Sequence, residues 1–127
     1  MLKTYTMNQF KNLIVWQKSL LLASKIYMLT EKLPSKERFG LISQINRSVV
    51  SIPSNIAEGS GRNSNKQFCY FLSISQGSAY ELETQLLICK ELNYFQKEEI
   101  EATTDLIQEI QKMLYTLQRK LKNSCES

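Results

Sequence analysis

Three carboxylates near the middle of the chain, Glu58, Glu81 and Glu83, are by type the residues best suited to acid–base chemistry. None has the partner that such chemistry needs. The sequence contains no histidine, which removes the commonest general base and the commonest metal ligand. Glu81 and Glu83 are two residues apart, so on a helix they point to different sides. Glu81 is expected at a buried or interhelical polar contact, and Glu83 elsewhere. Ser78 has neither a histidine nor a lysine at a recognisable catalytic spacing. Cys69, Cys89 and Cys125 match no zinc or redox spacing, and an odd number of cysteines does not suit a disulfide framework. Within helical patterns, Cys69 and Cys89 read as small hydrophobes. No catalytic residue, metal site, cofactor or small-molecule substrate is assigned, and the expectation is a protein that is not an enzyme.

Binding chemistry is better represented. The net charge is +4 and the isoelectric point about 9.0. Residues 1–62 hold nine basic and three acidic residues, a net +6, whereas residues 63–127 hold seven and nine, a net −2. A basic first half suits nucleic acid or an anionic partner, and it equally suits a solvated helical surface. Arg47, Ser51, Ser54, Asn55, Glu58 and Arg62 recur at helical spacing along one side of the same segment. Three roles stay open for this stripe: a solvated face, a close polar contact with another helix, or a site for an anion or nucleic acid. The small serines favour the second. Asn55, Glu58, Arg62 and Glu81 are the residues expected to form such a structural polar network.

The string GSGRNSNK, Gly59 to Lys66, offers glycines, backbone N–H groups at a helix start, and the cations Arg62 and Lys66. It lacks the P-loop pattern and a preceding strand. A glycine stop followed by a serine cap accounts for the same residues.

Four segments with helical periodicity must position these groups. The first runs from about Leu13 to Leu33, with Leu13, Trp16, Leu20, Ala23 and Tyr27 on one stripe. Leu21, Leu22, Ile26 and Leu29 widen it, so more than one face is expected to be covered, and Pro34 ends it. The second starts near Lys36 and repeats at Ile42, Ile45, Val49, Ile52 and Ile56. Pro53 lies inside the repeat and predicts a kink in a continuing helix; Gly59 and Gly61 then predict its end. The third opens at Ser64, whose spacing to Gln67 is that of a capping box. It carries Phe68, Leu72, Ser75, Ala79, Leu82, Leu86 and Cys89 on its seam, and Asn93 suits its stop. The fourth runs from about Lys97 to Lys122 with Ile100, Thr103, Ile107, Ile110, Leu114, Leu117 and Leu121. Its acids stand at the start and Arg119, Lys120 and Lys122 at the end, complementing the helix dipole.

No segment alternates with period two. The predicted fold is all-α, an antiparallel up-down four-helix bundle over residues 13–122 with helix 2 kinked at Pro53. Residues 1–12 are predicted as an N-terminal arm and 123–127 as a C-terminal tail. No apolar run reaches the roughly 18 residues of a membrane span. MLKTYTMNQFK has no signal-peptide character, so a cytoplasmic location without membrane contact is expected.

The strings LIVWQKS (Leu13–Ser19), ERFGLISQINRS (Glu37–Ser48), SIPSNIAEGSGR (Ser51–Arg62), KQFCYFLSIS (Lys66–Ser75) and GSAYELETQL (Gly77–Leu86) together resemble the bacterial four-helix-bundle proteins encoded in 23S rRNA intervening sequences. The accessory variability protein of diversity-generating retroelements is related to that family. The resemblance implies a ring-like homopentamer and a role as an RNA- or retroelement-associated interaction protein; the retroelement relative binds nucleic acid through a basic surface. It carries Arg47, Arg62 and Lys66 over as candidate nucleic-acid contacts. The sequence departs from the family at Gln76 and Asn46, where a basic residue is often found. Arg119, Lys120 and Lys122 add a basic helix end from the sequence itself. The leading expectation is therefore an oligomer that binds RNA or an RNA–protein complex. The alternative is a structural homo-oligomer that binds a protein partner and has no affinity for nucleic acid.

Overall fold

The computed structural model describes residues 9–126, with only the backbone described for 124–126. Four α-helices make up the chain: α1 (Ile14–Thr30), α2 (Leu41–Ser60), α3 (Asn65–Glu91) and α4 (Lys97–Glu126). There is no strand among the described residues. Each helix packs on the next in sequence, and α1 also packs on α4, which closes the bundle. Of the expected N-terminal arm, residues 1–8 lie outside the described residues. Gln9–Asn12 form a 3-10 turn, with the Phe10 ring edge-on to Trp16 at 5.1 Å between centroids. At the other end α4 continues to Glu126, so most of the expected tail is helix.

The core is formed by Leu22 and Ile26 of α1, Ile45, Val49, Ile52 and Ile56 of α2, Leu72, Ala79, Leu82 and Leu86 of α3, and Ile107, Ile110 and Leu114 of α4. Removing this apolar area from water is the main stabilising term. The seams expected on α2, α3 and α4 point inward. On α1 the phase differs. The buried positions are Val15, Ser19, Leu22, Ile26 and Leu29, while Leu20 and Tyr27 face outward. A helix that is apolar around most of its circumference has no unique inward stripe, so periodicity alone does not fix its rotation.

Local chemistry sets the helix ends. α1 stops at Thr30, four residues before Pro34, and the turn that follows tucks Leu33 into the core. α2 does not begin near Lys36: Ser35–Glu37 form a separate 3-10 turn, and α2 starts at Leu41. Glu37 Oε1 accepts the Leu41 N–H at 3.4 Å, and its Oε2 accepts the Tyr94 hydroxyl at 2.7 Å. One side chain thus joins the start of α2 to the α3–α4 connection. That hydrogen bond, with some burial, raises the Tyr94 pKa.

α2 continues through Pro53 without a break. Gly59 does not stop it. This glycine is buried within the helix, where an added Cβ would meet Phe71 Cβ at 2.7 Å and Phe68 Cδ1 at 2.9 Å. It permits the close approach of α3, and Gly61 forms the helix end. Ser64 caps α3 by accepting the Gln67 N–H at 3.1 Å. The reciprocal half of a capping box occurs instead on α4, where Glu99 accepts the Gln96 N–H at 2.8 Å. α3 ends as expected at Asn93, whose φ of 62° is left-handed. The Tyr94 N–H then bonds to the Cys89 carbonyl and the Asn93 N–H to that of Lys90, the paired bonds of a Schellman end.

Candidate nucleic-acid interface

Contacts between helices determine which basic residues share a surface. On α2 and α3, Gly59 lies against Phe68 and Phe71, Ile52 is joined to Ser75, and Ser51 to Ser78. Residue numbers fall on one helix as they rise on the other, so these two run in opposite directions. The same holds for α3 and α4, where Cys69 Sγ meets the Gln118 carbonyl and Glu83 bonds to Gln108. The start of α3 therefore lies beside the last turns of α4. Lys120 in turn borders the same depression as Asn12, Leu13, Ile14 and Val15 at the start of α1.

The α2–α3 junction, the end of α4 and the start of α1 thus meet at one end of the bundle. Arg62, Lys66, Arg119, Lys120 and Lys122 all belong to it, and all are exposed. Arg62 and Lys66 border a surface depression with Ser64, Gln67, Tyr70 and Phe71. The Arg62 guanidinium lies 4.8 Å from the centre of the Phe71 ring, and the exposed Tyr70 ring stands beside it. Arg119 donates to the Tyr115 hydroxyl at 3.1 Å. Glu58 also lies in this region, bound to Arg62 at 2.6 Å. Cations interleaved with exposed aromatic rings can hold phosphates and stack bases. Arg47 is not part of this end; it is exposed in the first half of α2 and lines a depression between α2 and α3 together with Glu81.

The polar stripe of α2 divides into two groups. Asn55 donates to the carbonyl and to Oγ of Ser51 at 2.9 Å each, and Ser78 Oγ donates to Ser51 Oγ at 2.9 Å. With the Ser75 hydroxyl on the Ile52 carbonyl at 2.8 Å, these bonds form a polar seam between α2 and α3. Glu58 and Arg62 form an exposed pair of their own, about half accessible at each side chain. Glu81 bonds to neither group and is exposed. Glu83, its neighbour, makes the interhelical contact that was expected of Glu81: its two oxygens accept from Gln108 and Gln111 of α4 at 2.9 Å. The rotation of α3 decides between two carboxylates two residues apart, and its seam residues Leu82 and Leu86 leave Glu83 on the α4 side.

Both departures from the family pattern fill structural roles. Gln76 Oε1 accepts from Gln118 at 2.6 Å across α3 and α4, and Asn46 Oδ1 accepts the Thr30 hydroxyl at 3.1 Å across α2 and α1. Sequence reasoning did not single out Glu37, Tyr94 or Gln85. The first two are distant in sequence and meet only through the fold. Gln85 falls between Leu82 and Leu86 on the inward side of α3, and a polar residue in that position was the available signal.

Cys69 and Cys89 are both buried thiols. Burial, with a smaller effect of Glu37, raises the Cys89 pKa to about 11. No group of acids and thiols able to hold a metal occurs among the described residues. No described helix is long and apolar enough to cross a membrane.

The family model of the 23S rRNA-intervening sequence protein matches residues 11–116. Among solved structures, the chain is similar to a protein with unknown function from the S23 ribosomal protein family of Bacteroides thetaiotaomicron. The two share 31% identity with a TM-score of 0.77, over 83% of this chain and 98% of that one. No curated protein matches.

Proposed function

The chain belongs to the 23S rRNA-intervening sequence protein family, and from that premise we propose that it is a non-catalytic oligomer that presents the basic end of its bundle to RNA. The observation that carries this reading is the convergence of Arg62, Lys66, Arg119, Lys120 and Lys122 on one end, next to the exposed rings of Tyr70 and Tyr115. These residues come from chain segments more than 50 positions apart, so their proximity is a property of the fold and not of a local charge run. Backbone contacts by such cations would give affinity with little sequence preference.

The oligomer is supported by α1. Ile14, Leu21 and Met28 are spaced by seven, are 59%, 52% and 65% exposed, and are flanked by Leu20 and Tyr27. A repeat of seven is the spacing that keeps an apolar stripe in register with a packed helix. An exposed stripe of this length marks an interaction surface. The ring of five copies implied by the family resemblance would repeat the basic end five times around one axis.

Titration of a structured RNA at several salt concentrations tests the proposal, because each phosphate contact releases counterions and steepens the salt dependence. The variant carrying Arg119→Gln, Lys120→Gln and Lys122→Gln should show a shallower slope and an unchanged helical spectrum. Superimposable curves for variant and parent would exclude that helix end as a contact. An absence of binding by the parent at low salt would favour the protein-partner alternative.

A further inference from the structure

A depression of about 610 Å³ lies between α3 and α4. Tyr80 of α3 and Gln108, Gln111, Lys112 and Tyr115 of α4 are among the residues that line it. Gln108, Lys112, Tyr115 and Arg119 recur at helical spacing, so one row of α4 leads from this depression to the cations of the basic end. Both tyrosine rings are more than half exposed. Gln76 positions the first of them. Its Nε2 donates to the Gln111 carbonyl at 3.4 Å and lies 3.5 Å from the Tyr80 hydroxyl, which keeps that ring beside the Gln111 turn of α4. Arg119 holds the second through its bond to the Tyr115 hydroxyl. Lys112 is exposed and forms no ion pair or hydrogen bond with a described residue.

Glu83 fixes what the two glutamines present. A carboxylate accepts hydrogen bonds and donates none, so Gln108 and Gln111 must turn their amide nitrogens toward it, at 2.9 Å each. Each Oε1 is then left without a partner among the described residues. Gln111 Oε1 is open to solvent, unlike the enclosed Gln85 Oε1. With both nitrogens committed to Glu83, which does not line the depression, the glutamines offer it acceptors and no donor. The depression thus combines two oriented acceptors, two exposed aromatic rings and an unpaired cation.

We infer that this depression takes an unpaired guanine base of single-stranded RNA. The inference rests on the RNA reading above, and it adds a base preference that backbone contacts do not give. Guanine carries adjacent N–H donors, at N1 and N2, on its Watson–Crick edge, and the other three bases have no two adjacent donor groups there. Two glutamine oxygens match that edge. The base would stack on the exposed tyrosine rings, and Lys112 would meet its phosphate. In a duplex the same edge is already paired, so the site selects unpaired RNA.

Fluorescence anisotropy of the full chain at low salt compares a short labelled oligouridine with the same strand carrying isolated guanines. The guanine strand should bind about tenfold more tightly, the discrimination of one good base contact. Inosine, which lacks the N2 amino group, should lose most of that advantage, and this arm needs no change to the protein. Glu83→Gln keeps the side chain's size but lets both amides turn, so the guanine preference should fall although Glu83 touches no RNA. Gln108→Met combined with Gln111→Met should remove the preference. Free guanosine monophosphate should compete far more weakly than the strand, because it cannot also reach the basic end. Equal binding of the two strands, equal binding of inosine and guanine, a preference that persists in the double variant, or equal competition by the free nucleotide would overturn this inference. A parent chain that binds a structured RNA but neither strand would overturn it and leave the RNA face standing. A parent chain that binds no RNA would overturn the RNA reading with it.

Discussion

Glu58 and Arg62 approach to 2.6 Å, yet solvent reaches about half of each side chain, and exposure limits what such a pair contributes. Glu58→Ala should cost no more than about 1 kcal/mol, as for other exposed pairs. The buried Ser75 hydroxyl on the Ile52 carbonyl is different. Ser75→Ala should cost about 1 kcal/mol or more, because a desolvated bond is lost and a small void is left. Chemical denaturation of the two variants measures the contrast, and a larger loss for Glu58→Ala would contradict it. Cys89 supplies a pH dependence. Its folded pKa of about 11 lies above the ordinary thiol value of 9.0, so the folded state holds its proton more tightly than the unfolded chain. The associated stability is fully present below about pH 9 and is lost as pH rises toward 11. At pH 8 a thiol reagent should label Cys89 only after denaturation; rapid labelling of the native protein would show the thiol to be accessible.

At the scale of helices, α2 and α3 approach most closely where the side chains are smallest. Gly59→Ala tests this. A Cβ there would lie 2.7 Å from Phe71 Cβ, and relieving that contact costs about 1–3 kcal/mol. The roughly 1 kcal/mol gained by replacing a helical glycine offsets only part of this, so the denaturation midpoint should fall. A raised midpoint would show that Phe71 gives way freely. We further propose that the α2 axis bends at Pro53, where the ladder lacks one N–H, and a crystal structure with a straight axis there would contradict this. Much at this scale was legible in the sequence. The number and type of elements followed from apolar spacing, and the seams of α2, α3 and α4 followed because polar residues mark their outer faces. The Ser64 cap and the Asn93 stop followed from local chemistry. The inward face of α1 did not, because Leu20, Leu21 and Leu22 offer three equivalent phases. The role of Gly59 was hidden for a related reason: a glycine near a helix end reads as a stop, and only the position of Phe71 shows that it admits a neighbour. Candidate contacts could be named singly, but their grouping depends on which helix ends meet. The separation of Arg47 from Arg62 was readable, because about four turns of one helix lie between them.

At the scale of the whole molecule, two surfaces are proposed to act together: the α1 stripe assembles copies, and the basic end contacts RNA. Native mass spectrometry should show an oligomer of the parent chain, five copies by the family resemblance, and monomer for Leu21→Asp combined with Met28→Asp. A parent chain that is monomeric at micromolar concentration would remove the assembly. Another copy number would keep the α1 surface and remove the pentamer. Loss of assembly should also weaken RNA binding, since linked sites reinforce one another. The location of the RNA contact is tested most directly by ultraviolet cross-linking of a structured RNA to the native protein, with the attached peptides identified by mass spectrometry. Cross-links should concentrate at Tyr70 and Phe71 on α3 and at Tyr115 on α4, the rings that accompany the basic end. Cross-links confined to the opposite end, at Phe39 or Tyr94, would contradict the account.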